Sequence, residues 1–137
     1  MGRIIAFDVG KKRVGIAVTD REKIIANGLT TLTVAEVLPF LKEYTEKEPV
    51  ELFVVGFARQ TNGDESESMK YIRPFAQSLI NKFPEIPVEW IDERFTSQIA
   101  FQTMIDGGLK KMARQNKALV DKISATIILQ TYLEKGR

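Results

Sequence analysis

Residues 3–18 constrain the chain more than any other stretch. Arg3–Phe7 and Val14–Val18 are apolar runs rich in Ile and Val, joined by Asp8-Val9-Gly10-Lys11-Lys12-Arg13. β-Branched residues lose side-chain freedom in a helix and pack well on a pleated surface, so both runs read as strands. The short, glycine-bearing link makes them antiparallel neighbours. Asp8 stands where the first strand gives out, with Lys11, Lys12 and Arg13 adding positive charge beside it. By itself the segment is an ordinary hairpin, with turn chemistry at Asp8 and Gly10 and solvated lysines at its tip.

After the polar turn Thr19–Lys23, Ile24–Leu32 reads as a third strand with Gly28 at a bulge, which completes an antiparallel meander. Thr33 is placed to cap a helix whose apolar positions Val34, Val37, Leu38, Leu41 and Tyr44 follow helical spacing. Pro39 suits the first turn of that helix and otherwise kinks it. Val50–Gly56 contains Leu52-Phe53-Val54-Val55, a continuous apolar run that predicts a strand buried on both faces. A loop, 57–63, precedes a long helix expected from about 64 to 83, acidic in its first turn, with Met69, Ile72, Ala76, Leu79 and Phe83 as its apolar stripe. Val88–Ile91 is a short fifth strand. Thr96 or Ser97 then caps a helix that ends at Gly107-Gly108, and a basic loop leads into a last helix from about 118 to 134. This order predicts one α/β domain over residues 1–137. Its mixed five-stranded sheet would join a three-stranded antiparallel meander to two parallel strands, with helices on its faces.

Composition narrows the chemistry. The 137 residues include no histidine and no cysteine, which excludes thiolate or imidazole zinc sites, Ser-His and Cys-His pairs and imidazole bases. A metal site must use oxygen ligands, which suit hard cations such as Mg²⁺ or Mn²⁺. The apolar runs are too short to span a bilayer and no signal pattern opens the chain, so a cytoplasmic protein with no membrane partner is expected. The net charge of +2 is too small to imply nucleic acid, and only its distribution can speak.

Three carboxylates belong together in such a fold. Groups just beyond the C-terminal ends of parallel strands converge on one rim, and Asp8 and Glu93 follow the first and fifth strands. Asp121 heads an otherwise apolar ladder, Asp121, Ala125, Ile128 and Tyr132, where a carboxylate is costly unless a cation or donors satisfy it. The small neighbours Ser124 and Ala125 let that helix approach the sheet closely. Each acid has an ordinary explanation when taken singly: turn, loop or first helical turn. Together they suggest an oxygen-only cation site, because like charges held close need compensation. Two divalent ions in such a site activate a water and stabilise the leaving oxygen of a phosphodiester. Lys11, Lys12, Arg13, Arg59 and Arg94 lie in loops of the expected rim, and Lys110, Lys111, Arg114 and Lys117 precede Asp121. That distribution favours a polyanion groove over scattered solvated lysines.

Asp8-Val9-Gly10-Lys11-Lys12-Arg13-Val14-Gly15-Ile16-Ala17 resembles the opening motif of the YqgF/RuvX family, which has a ribonuclease H-like fold. Val54-Val55-Gly56 with Asn62-Gly63, Asp92-Glu93-Arg94-Phe95-Thr96-Ser97 and Val120-Asp121-Lys122-Ile123-Ser124-Ala125 resemble its later blocks, in order and from end to end. The chain departs from the family pattern at Phe57-Ala58-Arg59-Gln60, where many members carry Leu-Pro, and at Ser124. The resemblance implies a bacterial, cytoplasmic, metal-dependent nuclease that matures the 5′ end of pre-16S ribosomal RNA. The family was earlier described as a Holliday junction resolvase. By the same likeness Asp8, Glu93 and Asp121 would be the catalytic ligands of one or two Mg²⁺ or Mn²⁺ ions, and Arg13 a site-shaping or phosphate-contacting residue.

The expected partner is therefore structured RNA within a ribosomal precursor particle, with branched DNA as the rival substrate. Symmetric cutting of a junction calls for a two-fold homodimer rather than a monomer. A nucleic-acid-binding module without catalysis is the reading from another class. An actin-like ATP-binding protein, loosely suggested by Asp8-Val9-Gly10 with Asp20, needs two lobes where this chain offers one.

Overall fold

The hairpin forms, and it outruns its apolar residues. In the computed structural model, residues 2–20, 22, 25–57, 69–92 and 117–135 are described, with Asp92, 117–123 and Lys135 described for their backbone alone. Strand β1 (Arg3–Val9) pairs antiparallel with β2 (Arg13–Thr19), from Ile5↔Val18 to Val9↔Val14. Asp8 therefore does not follow the first strand but lies within the ladder, opposite Gly15. Val9 is buried, so the core holds the strand past the polar residue.

Strand β3 (Ala26–Thr33) adds to β2, and the register shifts between Ile16↔Thr30 and Ala17↔Gly28. Leu29 is thus the extra residue of a bulge next to the glycine expected to mark it. Helix α1 (Val34–Lys47) follows at once. The Thr33 backbone N–H and hydroxyl both donate to Glu36 Oε1, at 2.9 and 2.8 Å, and these bonds hold the Glu36 carboxyl below its ordinary pKa. Pro39 lies inside α1 rather than in its first turn. The helix accommodates it because Pro39 and Ala35, whose carbonyl loses its helical donor, are both exposed and water can take the bond.

Strand β4 (Val50–Phe57) runs parallel to β1, with Ile5↔Phe53 and Phe7↔Val55. Helix α2 (Met69–Lys82) leads to β5 (Val88–Asp92), parallel to β4 with Val55↔Trp90 and Phe57↔Asp92. Helix α3 (Lys117–Lys135) closes the described chain. The sheet order is β3-β2-β1-β4-β5, which is the mixed five-stranded sheet expected from the sequence. The helix expected to start at Thr96 or Ser97, and the first turn expected near residue 64, lie outside the described residues.

Strand alternation divides the core in two. Ile5, Phe7, Val9, Phe53 and Val55 face α1 and α2, packing with Val37, Leu41, Ile72, Phe75 and Leu79. Phe7 is the hub, edge-to-face with Phe53 at 5.6 Å and with Phe75 at 5.4 Å. Ile4, Ala6, Ala17 and Val54 face the other way, onto Ala125, Ile128, Leu129 and Leu133 of α3. β4 is thus covered on both faces, as its unbroken apolar run requires. The fully buried Thr19 accepts the Ile4 N–H at 2.9 Å, while the Arg3 guanidinium donates to the Thr19 carbonyl at 2.9 Å and to Glu48 at 3.3 Å. These bonds fasten the end of the hairpin away from Asp8.

Candidate functional site

The direction of α3 decides which rim it serves. The Tyr132 hydroxyl, late in α3, donates to the Glu89 carboxylate near the start of β5. Burial, that hydrogen bond and the charges of Glu89 and Glu51 together push the Tyr132 hydroxyl up to about 12. Glu51 and Glu89 lie at the beginnings of parallel strands, so the end of α3 covers their N-terminal edge. The helix therefore runs antiparallel to β1, β4 and β5, and its first turns point to the rim where those strands finish.

Small residues let it sit close. Ala6, Ala17 and Ala125 share one core cluster between sheet and helix. Asp8 lies two residues beyond Ala6 on the same strand face, about 7 Å farther along. Position 121 lies one helical turn before Ala125, about 6 Å along the axis. Both acidic positions thus lie beyond the alanines in the same direction.

The neighbours of Asp8 on this face are glycines. Gly15 is directly opposite on β2. On β4, Gly56 follows Val55, the partner of Phe7, and shares the α3-facing side with Val54 and with its own partner Ile91. Asp8 is half-buried in this side-chain-poor notch. Arg13 occupies the same face two residues from Gly15, a diagonal neighbour roughly 7 Å from Asp8 between Cβ atoms. The two glycines were visible in the sequence as interruptions of Ile/Val strands, which often mark close approach of a ligand, but their position beside Asp8 needed the register.

The link from β1 to β2 brings charge to this rim. Gly10 donates its N–H to the Arg13 carbonyl at 2.8 Å, leaving Lys11 and Lys12 exposed at the tip. A Cβ on Gly10 would stand 2.9 Å from that same backbone oxygen. Gly10→Ala is expected to force the turn open, displacing Arg13 from its diagonal position. About 1 kcal/mol or more should then be lost in urea unfolding. Unchanged stability would show that the turn accepts a side chain at position 10.

The other expected site residues are less fully placed. Lys117 and Asp121 belong to the α3 backbone, and Asp92, just before Glu93, ends β5 beside Phe57. Glu93, Arg59, Arg94, Lys110, Lys111 and Arg114 lie outside the described residues. Among the described residues no three acidic side chains gather to hold a metal, and Asp8 is the one member of the expected trio whose side chain is described. Its hard oxygen donors, in a chain with no nitrogen or sulfur ligand from His or Cys, fit Mg²⁺ or Mn²⁺.

The Tyr132–Glu89 contact holds α3 in its alignment and carries a pH signature. Because the folded hydroxyl titrates above its ordinary value of 10.0, its contribution to stability is full below pH 10 and lost as pH rises through 12. Tyr132→Phe should flatten that alkaline limb in denaturant titrations. An identical limb in the variant would show that the contact contributes nothing.

Comparison with known proteins bears on the family and the fold. The family model described as RuvX, Holliday junction resolvase, matches residues 2–135. A protein of Phocaeicola vulgatus named "Putative pre-16S rRNA nuclease" is 62% identical, the match covering 100% of this chain and 99% of the relative. One of the same name from Bacteroides thetaiotaomicron is 59% identical over the same shares. Among solved structures, T. thermophilus RuvC in complex with a Holliday junction substrate matches with a TM-score of 0.58 at 14% identity, over 99% of this chain and 97% of RuvC. That likeness identifies the sheet and its helices as a ribonuclease H-like fold.

Proposed function

The chain belongs to the RuvX family, and on that premise we propose that it is a metal-dependent nuclease hydrolysing RNA phosphodiester bonds to mature the 5′ end of pre-16S ribosomal RNA. The observation that carries the reading is the half-buried carboxylate of Asp8 between Gly15 and Gly56, at the rim toward which α3 directs the position of Asp121. The substrate class follows the name of the close relatives.

In this proposal Asp8, Glu93 and Asp121 hold one or two Mg²⁺ or Mn²⁺ ions. Such ions, when bound, lower the pKa of an attacking water and stabilise the leaving oxygen. Arg13, diagonal to Asp8, orients the scissile phosphate as a planar, permanently charged donor. The glycine notch leaves room for the sugar-phosphate backbone beside the carboxylate. Lys11, Lys12, Arg59, Arg94, Lys110, Lys111, Arg114 and Lys117 bind flanking phosphates, which positions the strand without reading its sequence. The partner is a ribosomal precursor particle in the cytoplasm. No helix among the described residues is long and apolar enough to cross a membrane.

Lys11 and Lys12 are both exposed at the tip of the β1–β2 turn. Changing both to Ala should weaken RNA binding and reduce the slope of log affinity against log salt by about 2, roughly one for each lost phosphate contact. An unchanged slope would remove these lysines from the interface.

The substrate is tested by incubating the chain with Mg²⁺ or Mn²⁺ and either a 5′-extended 16S precursor or a four-way DNA junction. Cutting of the precursor with the junction left whole is expected. Cutting of the junction alone would replace this reading with the one in the family's description, Holliday junction resolvase.

A further inference from the structure

The chain has one tryptophan, and it stands outside the machinery described so far. Trp90 lies on β5, the edge strand of the sheet, and is 41% exposed. It meets Phe57, the last residue of β4, edge-to-face, with ring centroids 5.9 Å apart and planes at 77°. The strand beneath it is pinned from its other face. Glu89 takes the Tyr132 hydrogen bond and Ile91 is buried in the α3 cluster, so Trp90 between them is held outward. An aromatic ring fixed in this way loses little freedom when another flat ring stacks on it.

Its position says what that ring would be. Trp90 is level with Val55 and Phe7, and so within one residue of the level of Asp8, at the same end of the sheet and on its opposite face. Two strand spacings, roughly 10 Å, separate β5 from β1. Lys11 and Lys12, exposed in the β1–β2 turn, stand at the same end of the sheet, on the far side of β1 from β5. A rim that carries positive charge at its β1–β2 turn and an exposed aromatic pair toward its β5 edge suits a polyanion that carries flat rings better than an apolar protein surface. Bases within a duplex are stacked on each other and closed to a side chain, so the ring must be unpaired.

We propose that Trp90, backed by Phe57, is a stacking platform for an unpaired base of the nucleic acid that crosses the Asp8 rim. The platform rests on the nuclease reading above and sharpens it: the bond to be cut lies within a few nucleotides of a single-stranded stretch. Specificity then comes from strand state rather than from sequence, since every base has a face to stack.

The lone tryptophan reports on its own contacts. The full chain, kept with EDTA so that nothing is cut, is titrated with a 12-nucleotide oligouridylate and with a blunt RNA duplex of equal phosphate count, following Trp90 emission and the anisotropy of a labelled strand. The single strand should quench emission by half or more, and the duplex should bind by anisotropy with little quenching. Trp90→Ala should weaken single-strand binding roughly tenfold while leaving duplex binding unchanged, and Trp90→Phe, which keeps a stacking face and guards against misfolding, should restore most of it. Single-strand binding by anisotropy without quenching would overturn the platform and leave the nuclease reading standing. No binding of either RNA would overturn both. An emission change on dilution of the protein alone would show that a second copy covers Trp90, which also overturns the platform.

Discussion

Asp8→Asn is expected to reduce metal-dependent cleavage on the order of a thousandfold, the scale of removing one preorganised electrostatic contact at a reacting centre. The substitution keeps the size of the side chain and its place in the β1–β2 ladder, whose hydrogen bonds belong to the backbone. What it removes is the negative charge between Gly15 and Gly56. Single-turnover cleavage of the precursor RNA, with circular dichroism to verify the fold, measures the loss. Retention of full activity would remove Asp8 from the site and leave the rim with no described carboxylate.

Phe7→Ala carries the largest expected effect on stability. Phe7 has no exposed surface and meets Phe53 and Phe75 edge-to-face at 5.6 and 5.4 Å. Truncation removes its burial and leaves a cavity that two neighbouring rings cannot fill, at a cost of about 3–5 kcal/mol. A domain of this size has a total stability of about 5–15 kcal/mol, so the variant should be close to unfolding at 37 °C. Urea denaturation should show the midpoint falling sharply with an unchanged slope. A loss below about 1 kcal/mol would mean that the ring is not the hub between β1, β4 and α2. The core and the site share a strand here: Phe7 and Asp8 are consecutive and point to opposite faces.

Much of this was legible in the chain because the signals were periodic. The Ile/Val runs at 3–18 and the unbroken Leu52–Val55 segment marked three of the five strands, since burial on one or two faces leaves a direct trace in side-chain pattern. Boundaries were less legible. β1 runs on through Asp8 to Val9 because tertiary burial of Val9 outweighs the low strand propensity of aspartate. Pro39 lies deeper in α1 than the missing N–H alone would suggest, because solvent satisfies the carbonyl that loses its donor. For the proposed site, the sequence pointed to Asp8 as an acid near a strand end and to Asp121 as an acid heading an apolar ladder. Gly15 and Gly56 beside Asp8, and Trp90 with Phe57, depend on cross-strand register, which no local pattern encodes.

The most direct test of the rim as a cation site for phosphodiester hydrolysis is a Mn²⁺ titration by calorimetry of the unaltered chain, Asp8→Asn, Glu93→Gln and Asp121→Asn. Three carboxylates sharing one or two ions predict saturable binding in the unaltered chain and loss of at least tenfold in affinity, or of one ion in stoichiometry, in each variant. A variant that binds Mn²⁺ with unaltered affinity and stoichiometry would show that its acid is not part of the site.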